Sequence, residues 1–360
     1  MVVRQSTTAS SAARQGWRHH QRLRVVRSED LAAKHPWAAS ALCDALCDDG
    51  IVLLRLPADQ HAAAKFSTCV TALCDFFKRD RAEKNFCAAS DGPGQHVGYM
   101  CADEAGGEMF EAKVNFDPRW PWPNPRLRDA VLDARRLLHD AAMLCLCSLV
   151  EPLELDADAL LALLDGPPDG AALAADPAGY FRARSNTTMR VWNYLPGGTG
   201  NYAHVDNTLL TVSPAGTQVG LGVRRWNDGT TYWPEARMRP DEVLLFAGDA
   251  LGYLTGGRVK PLLHWVAPPR ADGPARMSMP FFLRPRLDAL LDQAAAAGGA
   301  PLSAPLGALR QLDLEHNTGD VRWSWDWKKS SYYHFAGERP YTVQGSPVRV
   351  SSTVRQRGKE

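Results

Sequence analysis

Apolar positions recur at helical spacing through the first half of the chain and at strand spacing through the second. Ala38 to Asp49 carries a stripe of Leu42, Ala45 and Leu46 and stops at Gly50, which predicts a helix ended by glycine. Ile51 to Leu56 is a continuous apolar run closed by Pro57, the pattern of a buried strand. His61 to Lys78 reads as a second amphipathic helix, and Asp91 to Gly98 as a loop that holds His96. The rigid Trp120 to Pro125 connector leads into the longest helical pattern, Leu127 to Val150. Val131, Leu137, Leu138, Ala142 and Leu146 mark its apolar face. A shorter helix is predicted over Leu153 to Leu164.

From Thr187 the texture changes to short β runs separated by Gly, Pro and Asp. Candidate strands are Met189 to Leu195, Leu209 to Val212, Val219 to Val223, Val243 to Ala247, Gly252 to Thr255, Leu262 to Val266 and Met277 to Leu283. Their spacing predicts an antiparallel sandwich or barrel. Leu287 to Ala297 reads as a helix, and the remainder, with Trp323 to Trp327 and Tyr332-Tyr333, as irregular and aromatic. The expectation is one structural domain of class α+β. A tail over 1–28 precedes a helical N-terminal half (29–186), a β core (187–300) and a C-terminal lid or extension (301–360).

At 360 residues, 45% hydrophobic and 22% charged, the chain can bury a full core. A net charge of +1 supplies no basic field, so nucleic acid is not an expected partner. No apolar run reaches the roughly 18–20 residues of a membrane span, so no membrane partner is expected either. All 8 cysteines fall within the first 147 residues and none forms a Cys-x-x-Cys pair, so zinc is poorly supported and reduced core thiols are expected. Six arginines and no acid precede Glu29. That composition suits a disordered tail of a cytoplasmic protein or an organelle transit peptide.

The candidate chemistry lies in the β half. His204 and Asp206 are two apart, so a strand would point both to one face. His264 interrupts a later apolar strand. Two imidazoles and a carboxylate form the facial triad that holds ferrous iron and leaves the opposite positions open. Arg276 and Ser278 share a face of the next strand, and a guanidinium is the natural two-pronged partner of a carboxylate. These residues in this order read as a site for iron and a 2-oxoacid.

With Asp241 to Gly248, Leu254 to Pro261, His264 to Arg270 and Phe281 to Pro285 in matching register, the chain resembles the Fe(II)/2-oxoglutarate-dependent oxygenase superfamily. Within it the isopenicillin N synthase-like branch is nearest, in the flavour of deacetoxycephalosporin C synthase. The resemblance covers roughly residues 40 to 290 and implies a double-stranded β-helix (jelly roll). It implies that His204, Asp206 and His264 are the catalytic iron ligands and that Arg276 and Ser278 hold the distal carboxylate of 2-oxoglutarate. Asn193 of Asn193-Tyr-Leu-Pro196 matches a residue that holds the oxoacid in relatives, while Leu195 replaces a tyrosine. The implied activity is a dioxygenase reaction with O2 on an unactivated C–H of a small specialised-metabolite or amino-acid-derived substrate. Hydroxylation, desaturation and oxidative cyclisation or ring expansion all stay open. Arg190, Arg224, Trp226, Tyr232, Phe282 and Arg284 are candidate substrate contacts. An iron-dependent oxidase or ethylene-forming-type enzyme on the same scaffold, and a non-catalytic jelly-roll binding protein, are the alternatives.

Overall fold

The computed structural model describes residues 23–90, 96–102, 106–114, 121–165, 186–226, 229–286 and 289–297, and the backbone of short strands beyond them. The N-terminal elements are β1 (Val25–Arg27), α1 (Ser28–Ala32), α2 (Pro36–Asp48), β2 (Ile51–Arg55), α3 (Ala62–Phe77), α4 (Arg81–Asn85), β3 (Ala88–Ser90), β4 (His96–Ala102), β5 (Gly107–Lys113), α5 (Pro125–Ser148) and α6 (Ala157–Ala162). Next come β6 (Thr188–Tyr194), β7 (Asn201–His204), β8 (Leu210–Pro214), β9 (Leu221–Arg224), β10 (Thr231–Tyr232) and β11 (Glu242–Ala247). The core closes with α7 (Asp249–Leu254), β12 (His264–Val266), β13 (Arg276–Ser278) and β14 (Phe281–Leu283).

Two sheets carry the site. The larger has ten strands in the order β1-β2-β11-β8-β14-β6-β5-β4-β3, with β13 also paired to β6; the smaller runs β10-β9-β12-β7. From β6 onward the chain passes back and forth between the two sheets, except at the β9–β10 hairpin and between β13 and β14, which is a jelly-roll path. Strand alternation sorts the side chains of the large sheet. Met189, Val191, Val212, Val243, Leu245, Met277 and Phe281 point outward into one core with the helices. Ile51, Leu53, Tyr194, Leu244 and Phe246 point inward to meet Leu221, Val223, Leu262 and Val266. The outer face is therefore largely apolar and packed against the helices.

Helix α5 shows how the sequence builds the outer layer. Asn124 accepts the Leu127 N–H at 2.8 Å, and Pro125 occupies the first position, where no N–H partner is needed. Leu127, Val131, Ala134, Leu138, Ala142 and Cys145 then recur at helical spacing and are buried.

The N-terminal half is not purely helical, because its five strands β1 to β5 extend the large sheet at both ends. The tail expected through residue 28 ends earlier, since Val25–Arg27 pairs in parallel with β2. His96 opens β4 rather than lying in a loop. Gly252–Thr255, predicted as a strand, is helical: α7 ends there, with Tyr253 buried and the Thr255 hydroxyl donating to the Leu251 carbonyl at 2.8 Å. Four residues are too few to show a period that distinguishes strand from helix. Met277 to Leu283 is broken into two strands because Pro280 has no N–H for the ladder. Of the helix predicted over Leu287 to Ala297, a strand β15 (Leu290–Asp292) comes first and only α8 (Gln293–Ala296) is helical. The Asp292 carboxylate sets that start by accepting the Ala294 N–H at 2.8 Å. The aromatic run near the C-terminus falls in the hairpin β17 (Arg322–Asp326) and β18 (Ser331–Phe335), after β16 (Ala308–Arg310); its side chains lie outside the described residues. Cys43, Cys69, Cys87 and Cys145 are buried free thiols, and Cys147 is exposed.

Candidate iron centre

The smaller sheet brings the three expected ligands together. His204 ends β7, Asp206 follows two residues on, and His264 opens β12 directly opposite His204. The imidazole centroids are 4.3 Å apart. Asp206 Oδ1 lies 3.5 Å from His204 Nε2 and 3.7 Å from His264 Nε2. One ligand atom from each residue falls within 4.8 Å of the others.

Two of the ligands are aimed by a neighbour. The Thr211 hydroxyl on β8 donates to Asp206 Oδ2 at 2.7 Å, which leaves Oδ1 to face the imidazoles. His264 Nδ1 lies 3.1 Å from the Leu262 carbonyl. A carbonyl only accepts, so Nδ1 carries the proton and Nε2 presents its lone pair. Burial pushes the Asp206 carboxyl upward, but His264, His204 and the Thr211 bond outweigh it and hold the group below the usual carboxylate range. Burial and the nearby His204 push the His264 imidazole down to about 4, against the opposing pull of Asp206 and the Leu262 carbonyl. Carboxylate and neutral imidazole are the forms that bind a metal.

Arg276 stands on the inner face of the large sheet, its side chain 3% exposed. Its Nε donates to the Gln218 carbonyl at 3.0 Å and its Nη2 to Glu235 Oε1 at 2.7 Å. Glu235 in turn accepts the N–H groups of Gly216, Gly220 and Leu221 at 2.8, 2.7 and 2.8 Å. A Cβ at Gly216 or Gly220 would come within 2.7 or 2.5 Å of the guanidinium or its stem, so only glycine leaves room for it. Two of three guanidinium nitrogens are thus engaged, and the two-pronged grip expected from sequence is reduced to one free edge. That edge, Nη1, is buried and has no hydrogen-bond partner. An orphaned buried donor costs about 1–3 kcal/mol, and a carboxylate oxygen would satisfy it. The residues present therefore fit ferrous iron and an oxoacid.

Tyr194 pairs directly with Arg276 across β6 and β13, its ring 5.7 Å from the guanidinium carbon. Tyr194 was not singled out from sequence. Asn193, which was, faces the other way. It pairs with Met277 on the outer side and hydrogen-bonds the buried Glu108, which also takes Tyr99 at 2.7 Å and Lys84. Thr211 and Glu235 were also missed: Glu235 acts on a clamp residue 41 positions away, and Thr211, close to Asp206 in sequence, reads simply as part of a β-branched strand.

The candidate substrate contacts divide. Arg190, Phe282 and Arg284 gather on the inner face, where both guanidiniums lie over the Phe282 ring. Tyr232 packs against the inner apolar cluster. Arg224 alternates with Val223 and so lies on the outer face of the small sheet. Trp226 donates to the Pro261 carbonyl at 2.9 Å beside Lys260 and packs on the outer core.

Residues 186–285, which hold the triad, the clamp and all of the jelly-roll strands, match the model of the 2OG-Fe(II) oxygenase superfamily. The β core is thus similar to the members of that superfamily. Two curated relatives of the chain are fungal. A 2-oxoglutarate-dependent dioxygenase of Gibberella zeae is 32% identical over 189 residues, covering 49% of this chain and 51% of its own length. Another from Aspergillus rugulosus is 35% identical over 99 residues, 26% of this chain and 28% of its own. The chain thus spans about half the length of the first relative and less of the second. Among solved structures, Neurospora crassa T7H in complex with alpha-KG and thymine superposes with a TM-score of 0.60 at 16% identity, over 80% of this chain and 93% of that one. At that identity the likeness is one of fold.

Proposed function

We propose that the chain is an Fe(II)- and 2-oxoglutarate-dependent dioxygenase that oxidises a C–H bond of a small molecule. The observation that carries this reading is the pairing of a complete His204–Asp206–His264 set with the orphaned Arg276 Nη1 at the same inter-sheet site. When bound, iron and 2-oxoglutarate supply the oxidising power, with O2 consumed and the oxoacid released as succinate and CO2.

The chain's own residues hold and orient. His204, Asp206 and His264 would occupy one face of the ion and leave the other to ligands that exchange. Thr211 and the Leu262 carbonyl fix the carboxylate and imidazole so that the ion is met without rearrangement. Arg276 Nη1, with the Ser278 and Tyr194 hydroxyls, would take the distal carboxylate of the oxoacid. Glu235 positions Arg276 rather than touching the co-substrate. Val223 and Phe246 of the inner apolar cluster flank His264.

The sequence motifs favour the isopenicillin N synthase-like branch and a specialised-metabolite or amino-acid-derived substrate. A small-molecule ligand is consistent with the thymine and alpha-KG in the N. crassa T7H complex. In this reading residues 187–300 are the catalytic core and 29–186 support it.

The test is an anaerobic titration of metal-free protein with Fe(II) and 2-oxoglutarate, following the visible iron-to-oxoacid charge-transfer band. A saturable band that vanishes in His204→Ala and weakens in Arg276→Ala is expected. Iron binding with no band would move the assignment to an iron-dependent oxidase. No iron binding would refute it.

A further inference from the structure

The inner face holds a second concentration of positive charge that the iron and oxoacid do not use. Glu111 on β5 faces Arg190 on β6, and its Oε2 takes Arg190 Nε at 2.9 Å and Nη2 at 2.8 Å. Lys113, 3% exposed, faces Thr188 one step along the same pair of strands. Phe282 on β14 pairs with Thr188, and its ring lies 5.6 Å from the Arg190 guanidinium carbon and 4.7 Å from that of Arg284. Arg284 is held by its backbone, whose N–H and carbonyl both engage the Thr187 hydroxyl, at 3.2 and 3.1 Å. Its Nε is buried and has no hydrogen-bond partner.

Among the described residues, three cations meet two carboxylates here. Lys113, Arg190 and Arg284 face Glu111 and Asp165, and Asp165 also accepts the backbone N–H groups of Asn186 and Thr187, at 3.3 and 3.4 Å. Burial pushes the Lys113 ammonium down, Glu111 and Asp165 oppose that, and Arg284 and Arg190 add to it, which shows how closely the cations crowd. The buried Arg284 Nε is the donor in this cluster that an anion would satisfy.

Its location relative to the iron centre suits a substrate. Thr211, bonded to the ligand Asp206, is the cross-strand partner of Phe282. Arg190 is on the second strand over from Thr211, roughly 10 Å across the sheet at about 4.8 Å per strand. Arg276 lies in a different direction: it pairs with Tyr194, four residues along β6 from Arg190, or about 13 Å at ~3.3 Å per residue. An anion held at the cluster would therefore leave the oxoacid's place at Arg276 untouched. Trp192, half-buried on the same face and stacked on Tyr194 at 5.4 Å, offers an apolar wall next to it.

We infer that Arg284 and Arg190, over the Phe282 ring, form the subsite for a carboxylate of the substrate. The substrate is then a small organic acid with an apolar body. This rests on the dioxygenase reading above and specifies its substrate class.

The test uses the full chain loaded with Mn(II), which does not turn over, and saturating 2-oxoglutarate, so that the Arg276 end is filled. Calorimetric titration then compares 3-phenylpropanoate with its neutral isostere 3-phenylpropanamide. The acid should bind at least about 10-fold tighter, the worth of one charge-assisted hydrogen bond. Arg284→Gln should erase that preference with the affinity for 2-oxoglutarate unchanged. Glu111→Gln, which releases Arg190 from its carboxylate, should tighten the acid and leave the amide alone, a gain that misfolding does not produce. Equal binding of acid and amide, no binding of the acid at millimolar concentration, or a preference that survives Arg284→Gln overturns the subsite while 2-oxoglutarate binding remains. Failure to bind 2-oxoglutarate refutes the dioxygenase reading instead, and the acid–amide comparison is then made on the Mn(II) protein alone with the same criteria.

Discussion

Arg276 and Arg284 share one face of one sheet, yet their surroundings differ. Arg276 is 3% exposed and held by Gln218, Glu235 and the closeness of two glycines, so a single nitrogen edge is left over. Arg284 is half-buried, rests on an aromatic ring and has a buried Nε without an acceptor. A guanidinium locked on every side but one suits a ligand whose size and charge never vary, such as a co-substrate. One anchored mainly through its backbone can adapt to a ligand of variable shape. Rigidity in the first site and latitude in the second are what a two-ligand oxygenase needs.

Stability separates the two most sharply. Arg276→Ala leaves Glu235 charged and buried without its partner, and breaking such a pair costs about 3–5 kcal/mol. Chemical denaturation of the metal-free protein should show that loss. Arg284→Gln should change the same midpoint by no more than about 0.5 kcal/mol, as for a site with no buried partner to strand.

The aiming of the iron ligands gives the next effect. Thr211→Val keeps the shape of the side chain but removes the hydrogen bond to Asp206. Loss of an outer partner of this kind should weaken iron binding by roughly 10–100-fold, read by competition with a chelator, without moving the preference of the substrate end for acids.

Asn193→Ala should have the smallest consequence for the site. It removes one long hydrogen bond to Glu108 on the helix-packed face. A loss of about 1 kcal/mol in stability with unchanged iron and 2-oxoglutarate affinity is expected. A weakened oxoglutarate affinity would show that Asn193 reaches the co-substrate after all.

These contrasts also mark what was readable in the chain. The ligand set was legible because His204, Asp206 and His264 fall in a fixed order on short apolar strands, and Arg276 and Ser278 could be paired by simple alternation. Alternation also separated Asn193 from Tyr194 correctly. What it does not supply is which of the two faces looks at the metal; that is set by β13 pairing with β6 in the register Arg276 to Tyr194. Glu235 lies 41 residues from Arg276, and Glu111 lies 79 from Arg190, so the partners that distinguish the two guanidiniums exist only once the sheets have assembled. The helical N-terminal half was overdrawn for a related reason. Short strands such as Val25–Arg27 have too few residues to show a period, and their identity comes from the edge they complete.

The account turns on 2-oxoglutarate being held at Arg276 and not at the second basic cluster. The direct measurement is the dissociation constant of 2-oxoglutarate for the Mn(II)-loaded wild type, Arg276→Gln and Arg284→Gln proteins under one set of conditions. The account predicts a weakening of roughly 10–100-fold in Arg276→Gln, the worth of a charge-assisted hydrogen bond, and a change within about 2-fold in Arg284→Gln. The reverse ranking, or equal losses in both, would contradict it.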